Sequence, residues 1–563
     1  MENELDKFDI FKKSSMSRHP IGVVVGGSLS KGVDVKLAFD DVEHGVQAGS
    51  IIEGMAVGKY VVIEGKSGKK FFSIVTDIAL DSNNPDLAKT PPDFGDHFVA
   101  DVYGSSIAFG RLQIAPMLLL EGDDAQAKPK PVKTVPAHFS QVFEATAADV
   151  QRVFPEGEKR FYIGTPLDME HVKVNLNLKD FVERSSGVFG KSGTGKSFIT
   201  RTILAGVIKA NVASCLIFDM HNDYGWEIRN ERQEVYQGLR QIFNTNQVQV
   251  ITLDVQTSQH RNSRYDGTLE IGLDSIEPED VEMIADLIDL SETQKGALHY
   301  LRRKYKREWI IKLLDEGDED LAKSEEEGKV QKGTLRAMQR KLEIFRPERM
   351  GFLRPTALDK IGDIFNLLDR GTSVVLEFGV YGDMLEAYVF VANYITRRLH
   401  RLYVGKKNKA AGRKAEEPRQ LVITIEEAHK FLDPEIAKHT IFGNIARELR
   451  KYNVTLLLVD QRPSGIDTEV MSQIGTRVTC LLDNEEDVRA VFSGVSGASQ
   501  LREVLARLDT QQQALILGHA VPIPVVIKVR DYKTMQSELA IDPVVARRQH
   551  SERKKAIDGN EES

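Results

Sequence analysis

Eight consecutive residues, Gly190-Lys191-Ser192-Gly193-Thr194-Gly195-Lys196-Ser197, carry the spacing G-x-x-x-x-G-K-[ST] of a phosphate-binding loop. Each residue type has a physical reason to be there. Glycines let the backbone bend until its amides converge on phosphate oxygens. A helix that starts at the loop adds partial positive charge. Lys196 would set a point charge on the β- and γ-phosphates, and the Ser197 hydroxyl would ligate magnesium. SGVFG before the loop reads as a strand and SFITRTILAGVIKA after it as a helix, which is the context this chemistry requires. The pattern predicts a chain that binds a nucleoside triphosphate, with ATP and Mg2+ as cofactors. The residues expected to touch the nucleotide are Gly190, Ser192, Gly193, Thr194, Gly195, Lys196, Ser197 and Phe198.

Hydrolysis needs an acid at the end of a neighbouring buried strand, and LVITIEEAH, from Leu421 to His429, supplies two. Carboxylates placed there are costly to leave unpaired. The expected use is Glu426 toward the magnesium shell and Glu427 polarising the attacking water. The usual first acid at such a strand end is Asp, so Glu426 departs from the common pattern. The plainer alternative is that both glutamates cap the next helix. VTLLLVDQRPSGID brings Gln461 to a position from which an amide could sense the γ-phosphate. ASCLIFDMHNDYGW ends in Asp219, His221 and Asp223, at the ligand-binding end of an open α/β sheet. For these three, turn-capping and an active-site role stand equally open.

The elements that must position these groups are legible in outline. The chain has 563 residues, 41% apolar and 28% charged. At roughly 150 residues per domain that allows two to four units with a sizeable core. ASCLIFDM, SVVLEF, RQLVITIEE, VTLLLVD and RVTCLL are continuous apolar runs alternating with helical stretches such as MLEAYVFVANYITRRLHRLY and EIAKHTIFGNIARELRKY. Strands buried on both faces read this way, so the class is α/β with a mostly parallel sheet. Residues 20 to about 120 read instead as short strands (IGVVVGGSL, VDVKLAF, YVVIEG, KFFSIVTDIAL) of a small barrel. AQAKPKPVKTVP, Ala125 to Pro136, reads as an extended linker holding the domain boundary.

Between Glu277 and Arg349 the composition is helical, with EDVEMIADLIDL and QKGALHYLRRKYKREWIIKLL amphipathic. DEGDEDLAKSEEEG reads as a solvated loop, and the stretch after Val544 as a tail. The expected division is 1–130 barrel, 131–276 and 350–535 core, 277–349 insertion and 536–563 tail. Two cysteines, Cys215 and Cys480, exclude a disulfide framework and a Cys-based zinc site and fit a cytoplasmic protein. No apolar run approaches a bilayer span, and MENELDKFDIFKK has no signal-peptide core. Net charge is −8, against a wholly basic nucleic-acid coat but compatible with an internal binding channel.

Together these segments resemble the HerA family of hexameric DNA translocases, within the FtsK–HerA group of RecA-like ATPases. The N-terminal strands look like that family's HAS barrel, RSSGVFGKSGTGKS like its phosphate loop, and FDMHNDYG like its second strand. IEEAHKF looks like its acidic motif, DQRPSGID like its glutamine strand, and QALILGHAVPIPVVIKV like the strands that close its core. The resemblance implies a RecA-like P-loop core with a helical insertion behind a small β-barrel, assembled as a homo-hexamer with ATP at each subunit boundary. It implies a catalytic arginine from the neighbour: Arg184 first, with Arg447 and Arg450 as rivals. It further implies an ATP-driven motor on double-stranded DNA in a central channel. Its partner would be a NurA-like nuclease, or a sirtuin-like or nuclease effector of antiphage defence, docked on the barrel. A ring scaffold that activates such a partner, with little translocation of its own, is the alternative. A type IV secretion coupling ATPase is disfavoured, since those carry or bind a membrane anchor. The basic stretch Arg397 to Lys414 reads as an exposed helix end before it reads as a DNA contact.

Overall fold

Alternation of side chains explains both halves of the molecule. A computed structural model describes residues 19–37, 54–84, 108–120, 128–229, 233–315, 330–435, 437, 440–495, 498–508 and 512–539. Near the N-terminus six antiparallel strands close a barrel: Gly32–Leu37, Gly22–Ser28, Gln141–Glu144, Tyr60–Glu64, Lys70–Ser82 and Ala108–Leu120, in that spatial order. The last strand returns to the first, Ile114 facing Val33, so no edge is left open there. Val24, Val35, Val61, Ile63, Phe71, Ile114 and Val142 fill the interior. The opposite face of the same strands, through Tyr60, Val62, Phe72 and Ile74, packs into the core of the second lobe. That double burial is why YVVI and FFSIV read as continuous apolar runs.

The expected boundary near residue 130 falls inside this barrel. Lys130–Pro131 pairs with Leu118 and Leu119, and Gln141–Glu144 then inserts between Gly22–Ser28 and Tyr60–Glu64. Four residues are too few to show a strand's alternation in sequence, yet without them the barrel would not close.

The second lobe is a twelve-stranded sheet. Eight parallel strands come first: Gly267–Thr268, Val248–Thr252, Ser373–Glu377, Ser214–Asp219, Leu421–Glu426, Val454–Asp460, Ser186–Phe189 and Thr476–Thr479. Four antiparallel strands follow: Gln513–Gly518, Val525–Val529, Arg160–Pro166 and Val174–Asn177. Cys215 and Ile217 face the helix Lys196–Lys209 and the barrel. Leu216 and Phe218 face the insertion and the long helix Leu385–Ala410. Each face therefore has its own core, as a doubly covered sheet requires.

The insertion breaks where its sequence periodicity does not. The expected helix over EDVEMIADLIDL ends at Glu282 and continues as turns, with Asp289 left-handed before Ser291 caps the next helix. QKGALHYLRRKYKREWIIKLL divides at Lys306, also at positive φ, into Glu292–Tyr305 and Trp309–Asp315. Buried Trp309 donates to Ile276 O at 2.9 Å and so pins the second helix across the insertion's base. Residues 316–328 of the acidic stretch, and the tail from 540, lie outside the described residues. The basic stretch from Arg397 is largely committed inside the chain: Arg398 and Arg401 reach Asp280 and Glu277 at 3.0 Å each, and Lys406 and Lys407 pair with Asp369 and Glu417. Among the described residues no helix is long and apolar enough to cross a membrane.

Candidate active site

The strand Ser186–Phe189 lies between Val454–Asp460 and Thr476–Thr479, in register Phe189 to Asp460 and Phe189 to Thr479. It delivers the chain into the loop at Gly190, where a Cβ would meet Cys480 Cβ at 2.7 Å and Thr194 Oγ1 at 2.9 Å. Gly193 and Gly195 take φ of 79° and 95°, which glycine adopts without strain. Thr194 Oγ1 and the Lys196 ammonium both donate to Lys191 O, at 2.7 and 2.9 Å, and tie the loop across itself. Ser192 is exposed, Thr194 buried, and Ser197 and Phe198 half-buried in the first turn of the helix. Burial holds the Lys196 ammonium below its usual pKa, while Cys480, Glu427, Asp460 and Glu426 draw it back up.

Parallel pairing puts the acidic motif on the same edge of the sheet. Glu427 follows the strand Leu421–Glu426 in a left-handed conformation, φ 49°, which costs a non-glycine residue about 1 kcal/mol or more. Its carboxylate accepts from Gln461 Nε2 at 3.1 and 3.4 Å. Asp460, at the end of the neighbouring strand and fully buried, holds both loops together. It accepts from His429 N at 2.6 Å, His429 Nδ1 at 3.0 Å and Arg462 N at 2.6 Å. That bond to Asp460, then Asp460's charge, raises the His429 imidazole's pKa. Ligand atoms of Glu427, His429 and Asp460 all lie within 4.8 Å of one another.

Glu426 points the other way, under the helix that follows the phosphate loop. Tyr224 Oη donates to its Oε1 at 2.9 Å, and its Oε2 is buried without a hydrogen-bond partner. Burial first, then the charge of Asp219, pushes its carboxyl up to about 8. Tyr224 belongs to the turn that Asp219 organises, accepting from the amides of Asp223, Tyr224 and Gly225 at 2.6, 2.8 and 3.2 Å. His221 is exposed on that turn.

The arginines separate in space. Arg184 precedes the strand Ser186–Phe189 and is exposed at the end opposite the phosphate loop, where Gly475 leaves room for its stem. Arg447 pairs with Glu469 at 3.1 Å and Asp467 at 3.5 Å. Arg450 lies in the turn Leu449–Tyr452, its side chain outside the described residues.

Lys196, Glu427 and Gln461 thus converge, and Glu426 sits beneath them. The chain is similar to the HerA-type P-loop ATPases. The family described as Helicase HerA, central domain, matches residues 161–399. The DNA double-strand break repair helicase HerA of Sulfolobus acidocaldarius is 26% identical over 522 residues, covering 86% of this chain and 91% of that protein. The protein of the same name from Pyrococcus furiosus is 23% identical, covering 77% and 81%. VirB4 of Thermoanaerobacter pseudethanolicus aligns at a TM-score of 0.45 and 12% identity, over 67% of this chain and 97% of that one. The chain is an ATP-hydrolysing enzyme. Sequence alone singles out neither Asp460 nor His429, although Asp460 carries the same signal as Glu426, an acid ending a strand beside the phosphate loop. Tyr224 has no such signal.

Proposed function

We propose that this HerA-type ATPase is a homo-hexameric motor that draws double-stranded DNA through a central channel. One observation carries the reading: Glu427 and Gln461 are hydrogen-bonded to each other on the strand edge that also presents Lys196. Lys196 and the loop amides bind the β- and γ-phosphates of ATP. Glu427 orients the attacking water, and Gln461, bonded to it, reports the γ-phosphate. Magnesium fits Ser197 and Glu426, whose partnerless buried Oε2 is an oxygen donor awaiting a hard cation. The ion would neutralise phosphate charge and displace the Glu426 proton. A cavity of about 100 Å³ beside Thr194 and Gly195, walled by Phe198, Tyr236 and Tyr532, suits the nucleobase. Asp219 acts at one remove, by fixing the turn that holds Tyr224.

Arg184 lies too far along its own strand to serve its own loop, so it acts on a neighbour. Arg447, already paired within the chain, is the weaker choice, and Arg450 a second rival. The barrel exposes Leu29, Leu80 and Phe139, apolar groups that a docked nuclease or other effector would cover. The deciding experiment is ATPase activity with and without duplex DNA. The parent should be stimulated by duplex, and Glu427→Gln should lose on the order of 100-fold in kcat while retaining ATP. Low, DNA-independent activity, with a partner enzyme that needs the assembled ring, would establish the scaffold reading instead.

A further inference from the structure

The strand Val248–Thr252 stands five places from Ser186–Phe189 in the sheet order, about 24 Å at ordinary strand spacing. Being parallel, it releases its chain on the same edge as the phosphate loop but beyond reach of it. That chain, Gln256 to Arg264, exposes Gln256, Gln259, His260, Arg261, Asn262 and Arg264. The acids on either side are already taken. Asp254 caps the helix Val255–His260 and accepts from Val380 N. Asp266 pairs with Arg240 at 2.9 Å and accepts from Val250 N. Among the described residues, no ion pair involves His260, Arg261 or Arg264. Arg264 is therefore left facing outward, while the exposed Arg261 also turns one guanidinium nitrogen inward, where its charge acts on buried Glu377.

The loop is also braced. Thr252 and Ser258 hydroxyls meet at 2.9 Å, and Ser263 Oγ donates to Ser258 O at 3.1 Å. Arg261 Nη2 donates to Asn222 O at 2.8 Å, in the turn capped by Asp219. Asn222 in turn exchanges side-chain hydrogen bonds with Gly379, and Tyr224 two residues on holds Glu426. A force on the loop has a short bonded route to the acidic strand.

We propose that residues 256–264 grip the sugar–phosphate backbone of the nucleic acid on which the enzyme works; this rests on the motor reading above. Arginines interspersed with Gln and Asn side chains are the donors that contact phosphate and sugar without reading sequence. They are strung along nine residues, as suits a ladder of phosphates. A triphosphate from a neighbouring copy would instead call for amides converging in a cradle.

The test is fluorescence anisotropy of a labelled duplex with the full chain and a non-hydrolysable ATP analogue, across a salt series. Arg261→Gln/Arg264→Gln should weaken duplex binding roughly tenfold or more and flatten the slope of log K against log salt by about two. Arg264→Glu, at a side chain with no described bond inside the chain, should act in the same direction. Affinity for the ATP analogue should not change. Unaltered duplex affinity and slope in both variants would overturn the assignment. So would a loss of analogue binding with duplex binding intact, which would place the arginines on a neighbour's nucleotide. If the unsubstituted chain binds no duplex, the motor reading itself has failed, and this assignment with it.

Discussion

Asp460 shows how much of a site can rest on a residue that touches none of the reacting atoms. Its buried carboxylate receives two backbone amides and an imidazole from the two loops that present Glu427 and Gln461. Charge-assisted bonds of this kind are worth about 1.5–3 kcal/mol each, enough to hold Glu427 in its unfavourable left-handed turn. Asp460→Asn keeps the shape and one acceptor but turns the other group into a donor facing donors. We expect kcat to fall about tenfold or more with KM for ATP little changed, because the bond from Gly190 N to the main-chain oxygen of residue 460 stays in place. Steady-state kinetics decide it; a raised KM with normal kcat would mean that Asp460 serves nucleotide binding instead. The phosphate loop was fully legible in sequence because its spacing is local. The Tyr224–Glu426 bond was not, since 202 positions separate the partners and only the fold joins them.

At the scale of elements, four adjacent parallel strands end in buried acids: Glu377, Asp219, Glu426 and Asp460. The parallel class was legible from continuous apolar runs, and so was the edge on which these acids gather. That they lie sealed from water was not, because an acid closing a strand reads the same whether it is wet or dry. Helix breaks at Asp289 and Lys306 were hidden likewise, the apolar spacing running straight through them. Burial, then the charge of Asp219, pushes the Glu377 carboxyl up to about 8. An unfolded glutamate releases its proton near roughly 4.3. Between those values the native state keeps a proton that the unfolded chain gives up, so stability falls as pH rises through the window. Asp219, raised to about 6, and Glu426, raised to about 8, act with the same sign. Glu377→Gln removes one of these three raised titrations, those of Asp219, Glu377 and Glu426. Thermal unfolding between about pH 5 and 8 should therefore decline less steeply in the variant, by a difference on the order of a few kcal/mol across the range. Parallel pH profiles would show that Glu377 is ionised in the native protein.

For the whole molecule, the question is whether one chain holds a complete site. Barrel and ATPase lobe share a core through Tyr60, Phe72, Phe161 and Ile203, so they are one body, not two beads on a linker. Within that body Arg184 and the phosphate loop sit at opposite ends of the strand Ser186–Phe189. A guanidinium exposed at the far end cannot fold back through the sheet to its own γ-phosphate, but in a ring it can face the loop of the next copy. Such an arrangement makes hydrolysis depend on the geometry between protomers. The consequence is complementation. Arg184→Ala lacks the proposed donor but keeps Glu427, and Glu427→Gln lacks the proposed water-orienting group but keeps Arg184. In the proposed ring, each variant alone should be nearly inactive. Dissociated and reassembled in equal amounts, about a quarter of the interfaces would pair an intact Glu427 with a neighbour's intact Arg184. ATPase activity should then rise well above that of either variant alone. If the mixture stays as inactive as its components while forming rings of normal size, Arg184 does not act across the boundary, and Arg447 and Arg450 become the next substitutions for the same mixing experiment.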